Sequence, residues 1–194
     1  MPAPGGKTRI LAERNPGSFV VAMELHPQRA RLLRKLVPNE AVRIITADAR
    51  QIPLAMKFDR VLVDVPCTGT GTLARNPDIK WRLKEDDIHR LQNYQFEILS
   101  AAIRLVTTGG RVIYSTCSLE PEENELLIQR VASANPSLRV IECRGELDRL
   151  KRSGDLIVDD VSSLLSGPYL RTIPGIHPCD GFFAAILELD GASS

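Results

Sequence analysis

Two cysteines and an aspartate occupy positions from which they could act together on one small substrate. Asp64 and Cys67 directly follow the segment 58–63, whose largely apolar alternation predicts a short buried strand. Cys117 follows a second predicted strand, 111–115, in a turn of small polar residues. The carboxyl ends of parallel strands form the edge of an open α/β sheet where ligands bind. The sequence therefore predicts two thiols and one carboxylate around a small planar substrate.

The alternative for each thiol is a small buried side chain, which is the commoner role of a lone cysteine. Both cysteines lie in polar turns that contain glycine or serine, where an apolar side chain gains little. Lys80 and Arg82 follow the first turn and could favour a thiolate or hold a phosphate. These features favour a catalytic role for Cys117 and for Cys67.

A second group of residues fits a ligand that contains adenosine. The loop that holds Gly5, Gly6 and Lys7 precedes a predicted helix, whose free N–H groups suit a carboxylate as well as a phosphate. The loop matches neither the Walker pattern nor the dinucleotide pattern. Glu24 ends the next strand, where an acid can bind ribose hydroxyls, and Asp48 follows the strand after it, near an adenine amino group. The alternative is that these acids only cap turns.

The order of elements predicts the architecture that must position these residues. Predicted strands alternate with helices, which indicates a doubly wound, Rossmann-like α/β fold with a mostly parallel sheet and an antiparallel last strand. The strand that should lead into the glycine loop is apparently missing, so we expect an N-terminally truncated chain. Residues 144–180 carry no assignment. The predicted strands are 19–24, 42–47, 58–63, 111–115, 138–143 and 182–189, and a long helix begins at residue 85 and is expected to stop at the glycines 109–110.

Composition limits the class of protein. The chain has 194 residues, which suits one domain, and its net charge of +1 gives no global basic field. Nothing resembles a membrane span or a signal peptide. The four cysteines form no C-x-x-C pair, so neither a zinc site nor another metal is predicted. Reduced thiols predict a cytoplasmic protein, and the oligomeric state has no signal in the sequence.

Several segments together resemble the RNA (cytosine-5) methyltransferases of the Sun type, with the bacterial ribosomal RNA small-subunit methyltransferase B group as the closest match. The resemblance runs along the whole chain but covers only the catalytic half of a typical member. It implies that residues 1–194 form a methyltransferase catalytic domain without a separate RNA-binding domain. The segments that carry it are 2–8, 48–50, 64–71, 75–81, 115–118, 121–124 and 180–184.

The resemblance also implies a cofactor, S-adenosylmethionine, and residues that hold it. The loop residues Gly5, Gly6 and Lys7 would line the methionine end of the cofactor. Glu24 would bind its ribose with support from Arg29. The remaining implied cofactor contacts are Ala3, Pro4, Asp48 at the adenine and Asp64, which would lie between cofactor and target base.

The implied reaction is methylation of C5 of cytosine in RNA, with ribosomal RNA as the expected substrate. Cys117 would attack C6 of the base, and Cys67 would assist product release. Arg75, Lys80 and Arg82 are candidate RNA phosphate contacts, with a solvated basic face as the alternative. Two other functions stay open: a DNA cytosine-5 methyltransferase that attacks with Cys67, and a non-catalytic fragment that binds RNA or a partner protein.

Overall fold

The computed structural model of the chain describes residues 5–191, and Ala3 and Pro4 of the predicted cofactor site lie outside these residues. The chain divides into two compact units, residues 1–54 and 55–194. The assignment of the whole chain to one catalytic domain stays a prediction.

The first unit alternates helices and strands: α1 (Gly6–Arg14), β1 (Val20–Glu24), α2 (Pro27–Leu36) and β2 (Val42–Thr46). β1 and β2 are parallel and in continuous register, so Glu24 and Thr46 end the two strands side by side. Gly5 precedes α1 with φ of +113°, and a Cβ there would lie 2.8 Å from Cδ1 of Leu33. This position therefore requires glycine for its backbone angle and for its contact with α2. The apolar core of the unit consists of Ala12, Ala22, Leu33, Val37 and Val42.

The second unit contains a six-stranded mixed sheet in the order β3-β4-β8-β7-β6, with β5 also paired to β8. Five of its strands are β3 (Phe58–Asp64), β4 (Val106–Thr116), β5 (Leu138–Ile141), β7 (Tyr169–Thr172) and β8 (Phe182–Leu189). The two-residue β6 (Leu165–Ser166) completes the sheet, and the helices are α3 (Ile79–Arg82), α4 (Glu85–Ile103), α5 (Glu125–Ala134) and α6 (Cys143–Arg152).

Strand directions confirm the predicted antiparallel last strand. β3 and β4 are parallel, and β8 runs antiparallel to both β4 and β5. The buried faces of α4 and α5 include Leu99, Leu127, Ile128 and Val131, each of which is fully buried. These apolar side chains recur at helical spacing, which is why the two helices were predictable.

The prediction that the glycines 109–110 end the long helix is wrong. α4 already ends at Ile103, and β4 begins at Val106 and contains both glycines. While β3 advances from Phe58 to Arg60, its partner on β4 advances from Val106 to Arg111. Gly109 has φ of +73° in this bulge, so the glycines serve a strand irregularity and not a helix end.

The structure also assigns the region that the sequence left unread. The predicted strand 138–143 ends at Ile141, and Cys143 begins α6 instead. The two strands β6 and β7 then form an antiparallel pair. This region is held by a small apolar cluster built on Leu147, Val161 and Leu164.

Two glycines allow the turn after β3 to pack against the start of β8. Gly71 lies in a 3-10 turn, Thr70–Thr72, and its N–H donates to the carbonyl of Cys117 at 2.9 Å. Its own carbonyl accepts from the N–H of Gly181 at 2.8 Å. A Cβ on Gly71 would lie 2.4 Å from the oxygen of Gly181 and 2.7 Å from that of Cys117. The backbones can approach this closely only because the side chain is absent.

We expect Gly71→Ala to lower the free energy of unfolding by about 1–3 kcal/mol, because the new methyl group meets main-chain atoms that cannot rotate away. Gly145→Ala is the matched control, since a Cβ at this position in α6 has no neighbour within 4 Å. Urea unfolding of both variants measures the difference. Equal stability of the two variants would contradict the close approach.

Candidate active site

The parallel pair β3 and β4 delivers two turns to the same edge of the sheet. Asp64, the last residue of β3, is in register with Ser115 near the end of β4. The pairing continues one residue further, because the N–H of Val65 donates to the carbonyl of Ser115 at 3.3 Å. The chain segments that follow both strands therefore emerge side by side, and each carries one of the predicted thiols.

The structure brings the two thiols together. Sγ of Cys67 lies 3.3 Å from Sγ of Cys117, and both residues are half-buried thiols. The hydrogen bond with Cys117, followed by burial, raises the pKa of the Cys67 thiol far above its usual value. The raised pKa favours the protonated form of Cys67, and the contact lets one thiol of the pair donate a hydrogen bond to the other.

Asp64 supplies an exposed carboxylate at the end of the same strand that leads to Cys67. Its Oδ1 accepts a hydrogen bond of 3.0 Å from the hydroxyl of Ser115. Because Ser115 lies on β4, this bond crosses between the two strands and fixes the orientation of the carboxylate.

A buried acid that was not predicted as a site residue links the two turns. Glu123 is fully buried in a 3-10 turn, Pro121–Glu123. Its Oε1 accepts from the N–H of Thr68 at 3.0 Å, and its Oε2 accepts from the hydroxyl of Thr68 at 2.5 Å. The oxygen of that hydroxyl lies 3.0 Å from the hydroxyl oxygen of Ser118. Thr68 and Ser118 directly follow Cys67 and Cys117.

Gln95 of α4 donates to the same carboxylate. It is fully buried, and its Nε2 donates to Oε1 of Glu123 at 2.7 Å and to the carbonyl of Pro66 at 2.9 Å. The hydroxyl of Tyr114, also fully buried, donates to the carbonyl of Glu123 at 2.7 Å. Gln95 occupies a position on the apolar face of α4, and a polar residue at such a position was the available signal for this network.

Further side chains fix the turn that carries Cys117. Oδ1 of Asn124 accepts from the hydroxyl of Thr116 at 2.7 Å, and Nδ2 of Asn124 donates to the carbonyl of Ser118 at 2.9 Å. The N–H of Leu119 donates to the hydroxyl of Thr70 at 2.9 Å. The turn that carries Cys117 is therefore hydrogen-bonded both to Asn124, which follows it, and to Thr70 in the turn after β3.

The first unit holds two of the predicted cofactor acids in fixed orientations. Oε1 of Glu24 accepts from the N–H of His26 at 3.0 Å, and its Oε2 accepts from Nε of Arg29 at 3.1 Å. Asp48 accepts from the side chain and from the N–H of Arg50, and these bonds hold the pKa of Asp48 below its usual range. Two anionic acceptors thus lie at the carboxyl ends of β1 and β2.

The predicted RNA contacts lie on an exposed surface around α3. Arg75 forms an ion pair with Asp180, and Arg82 forms one with Asp78 at 2.7 Å. Nζ of Lys80 lies 5.7 Å from the centroid of the Trp81 ring, whose exposed fraction is 84%. An exposed tryptophan beside a lysine suits a single-stranded nucleic acid, in which bases stack and phosphates need positive charge, whereas Arg75 and Arg82 already pair with acids.

A metal site and a membrane-spanning helix are two further features that residues 5–191 could contain. Within that range, no three His, Cys, Asp or Glu side chains group as metal ligands would. None of the helices there combines the length and the apolar character needed to cross a bilayer.

The alternating helices and strands form a Rossmann-like α/β fold, and comparison with known proteins gives the family of the chain. A family model described as 16S rRNA methyltransferase RsmB/F matches residues 1–188, and the chain belongs to this family. The chain is 35% identical over 191 residues to the ribosomal RNA small subunit methyltransferase B of Vibrio cholerae. That match covers 96% of this chain and 39% of the relative, so the chain spans about two fifths of that protein.

Two solved structures from Pyrococcus horikoshii share the fold. NSun6, solved with SFG, is 27% identical with a TM-score of 0.77, and the match covers 98% of this chain and 47% of that one. A methyltransferase homolog protein is 31% identical with a TM-score of 0.71, over 96% of this chain and 59% of that one. The predicted family and the Rossmann-like α/β fold with its antiparallel last strand are therefore confirmed. The sheet of the second unit is mixed, with mostly antiparallel strand pairs, and not mostly parallel as predicted.

We expect Gln95→Leu to destabilise the protein by about 1–3 kcal/mol, because it leaves the buried Glu123 carboxylate and the carbonyl of Pro66 without a donor. Gln92→Leu is the control on the same helix. Gln92 also donates to a main-chain carbonyl, that of Glu122, but it is only half-buried and water can replace it. If denaturant unfolding gives the two variants the same loss, the network around Glu123 is not the stabilising element described here.

Proposed function

We propose that this chain carries the catalytic machinery of an RNA (cytosine-5) methyltransferase that uses S-adenosylmethionine and acts on ribosomal RNA. The supporting observation is the pair of sulfurs 3.3 Å apart on turns that follow two adjacent parallel strands. The RsmB/F family match and the names of the relatives support the RNA substrate. A thiol in this position allows covalent activation of a base that is otherwise too weak a nucleophile at C5.

The residues of the first unit fit the proposed cofactor. Glu24 would bind the ribose hydroxyls, since its carboxylate is already oriented by His26 and Arg29. Asp48 would accept from the adenine amino group, and its lowered pKa keeps it an anionic acceptor at neutral pH. Gly5, Gly6 and Lys7 at the start of α1 would line the methionine end. When bound, S-adenosylmethionine supplies a methyl group on a positively charged sulfur.

Cys117 would activate the base by forming a covalent bond to C6 of cytosine. The thiolate adds to C6, the C5–C6 double bond opens, and its electron pair makes C5 the nucleophile that takes up the methyl group. Removal of the C5 proton by a base then restores the double bond, breaks the S–C6 bond and releases Cys117 as a thiolate. Asp64 would hold the N3/N4 edge of the base and stabilise the charge that develops during addition.

Cys67 would assist the release of the methylated base. It keeps its proton because its pKa is raised, and its S–H lies within hydrogen-bond distance of the Cys117 sulfur. A donated hydrogen bond stabilises the departing thiolate, so loss of Cys67 should slow release more than addition.

The target base must leave its stack to reach a half-buried thiol, so single strands, loops and flipped nucleotides are the proposed targets. Arg75, Lys80 and Arg82 would contact phosphates around it, and Trp81 offers a surface on which a neighbouring base could stack. A ribosomal RNA substrate and four reduced cysteines both fit a cytoplasmic protein.

We expect the chain to form a covalent adduct with RNA that contains 5-fluorocytosine in the presence of S-adenosylmethionine, because fluorine blocks the proton loss that releases the base. Cys117→Ala should abolish the adduct. Cys67→Ala should form it, and with unmodified RNA it should accumulate an adduct that the wild-type chain resolves. Denaturing electrophoresis and mass spectrometry of the adduct give the yield and the attachment site.

Calorimetry with S-adenosylmethionine provides the control for a folded and cofactor-competent sample. An adduct on Cys67 that survives Cys117→Ala would contradict the proposed mechanism and favour the chemistry of DNA cytosine methyltransferases. Saturable cofactor binding without any adduct would indicate a non-catalytic fragment.

A further inference from the structure

Glu123 is a charged side chain with no direct part in the proposed reaction, yet it is fully buried beside the reacting thiols. Taking a carboxylate out of water costs several kcal/mol unless donors replace the lost solvent. Thr68 and Gln95 provide three such donors: one main-chain N–H, one hydroxyl and one amide N–H. Because these donors come from residues next to the thiol turns, the burial of Glu123 indicates a role in positioning those turns.

We propose that Glu123 is a positioning residue that holds the two thiol turns together and so keeps the thiol of Cys67 next to that of Cys117. The proposal rests on the proposed function, because it explains how one of two neighbouring thiols becomes the nucleophile. The carboxylate of Glu123 accepts its hydrogen bonds from Thr68 and Gln95. It acts on the sulfurs through Thr68 and Ser118.

The hydrogen bonds of this connection have a defined direction. The single hydroxyl hydrogen of Thr68 goes to Oε2 of Glu123, since a carboxylate only accepts. The contact of 3.0 Å between Thr68 and Ser118 must then be donated by Ser118. The hydroxyl of Ser118 also accepts from the N–H of Glu120 at 3.0 Å, which agrees with this assignment. The hydroxyls therefore point in sequence from Ser118 to Thr68 to Glu123.

The positions of these residues in the chain explain how the connection reaches the sulfurs. Thr68 directly follows Cys67, and Ser118 directly follows Cys117, so the bonds between the two turns lie one residue beyond the thiols. The N–H of Thr68 also donates to Glu123, which fixes the main chain beside Cys67 as well as a side chain. Without the carboxylate, the bond from Thr68 is lost and the turn that carries Cys67 can move away from Cys117.

The negative charge of Glu123 raises the pKa of Cys67, as does the contact with Cys117 that its hydrogen bonds hold in place. The titratable groups that face Cys67 are Cys117, Glu123 and Tyr114. The bond with Cys117, burial and the negative charge of Glu123 all raise the pKa of Cys67, in that order of size. Burial raises the pKa of Tyr114 so far that it stays uncharged over the working pH range.

The test compares the pH profile of Cys67 alkylation in Glu123→Ala, Glu123→Gln and the control Glu122→Gln, which changes the neighbouring acid of the same turn. A raised pKa keeps Cys67 a thiol. A substitution that removes a cause of the raised pKa therefore lowers the pKa of Cys67 and increases the fraction of reactive thiolate at a given pH. In Glu123→Ala we expect Cys67 to react about tenfold faster with iodoacetamide at pH 8, because a lower pKa leaves more of the reactive thiolate. Exposed Cys179 is the internal standard, and mass spectrometry reads each site.

In Glu123→Gln the amide can donate to Thr68, whose hydroxyl then donates to Ser118, so the connection survives without the charge. We therefore expect the alkylation rate of Cys67 in Glu123→Gln to lie between the rates in Glu122→Gln and in Glu123→Ala. Circular dichroism confirms that each variant is folded before alkylation.

A merely structural role would lower the melting temperature and leave the Cys67 profile unchanged in folded samples. The proposal would be overturned if both Glu123 variants gave the same pH profile of Cys67 alkylation as the control Glu122→Gln. The measurement needs neither RNA nor cofactor, so it can fail or succeed independently of the adduct experiment. A shifted profile in a chain that forms no adduct would contradict the proposed function and leave the positioning role intact.

Discussion

A buried carboxylate with three donors is the interaction on which the geometry of this site depends. Glu123 could be buried without its donors only at a cost of several kcal/mol, so Thr68 and Gln95 must stay in place for the turn to fold. The residues that donate hydrogen bonds to the carboxylate are consequently the same residues that position the thiols. The same hydrogen bonds that offset the cost of burying Glu123 fix the residues next to Cys67 and Cys117.

The main chain brings the turns to one place before the side chains fix them. The parallel register of β3 and β4 puts Asp64 beside Ser115, so the following segments begin as neighbours. The backbone contact at Gly71 then ties the turn after β3 to the carbonyl of Cys117 and to the start of β8. Sheet register determines where the thiols emerge, and the network around Glu123 determines how close they come.

The sequence indicated the candidate catalytic residues because they lie at or just after the ends of apolar strands, where ligands bind in open α/β sheets. Asp64, Cys67 and Cys117 belong to this class. Glu123 does not, since acids after Pro121 are typical of an exposed first helical turn. In the structure these residues form a 3-10 turn, α5 begins only at Glu125, and Glu123 points inward. Gln95 was the one local signal, as a polar residue on an apolar helix face.

The parts of the fold that were missed depend on contacts distant in sequence. The bulge in β4 appears only when its register with β3 is known, and two glycines after a helix otherwise indicate a helix end. Residues 144–180 form short elements around Leu147, Val161 and Leu164, too small a cluster to give a clear hydrophobic period. The local sequence pattern thus predicted the long helices and strands and the residues at strand ends. The bulge in β4 and the short elements of residues 144–180 depend on tertiary packing.

The most direct test of the account is whether the native chain binds one trivalent arsenical through both thiols. Phenylarsenoxide bridges two sulfurs only when they lie close together, and the Sγ atoms of Cys67 and Cys117 are 3.3 Å apart. We expect one equivalent per folded chain, protection of both cysteines from alkylation, and loss of binding in Cys117→Ser. No uptake by the folded chain, or uptake that leaves Cys67 and Cys117 open to alkylation, would contradict the account.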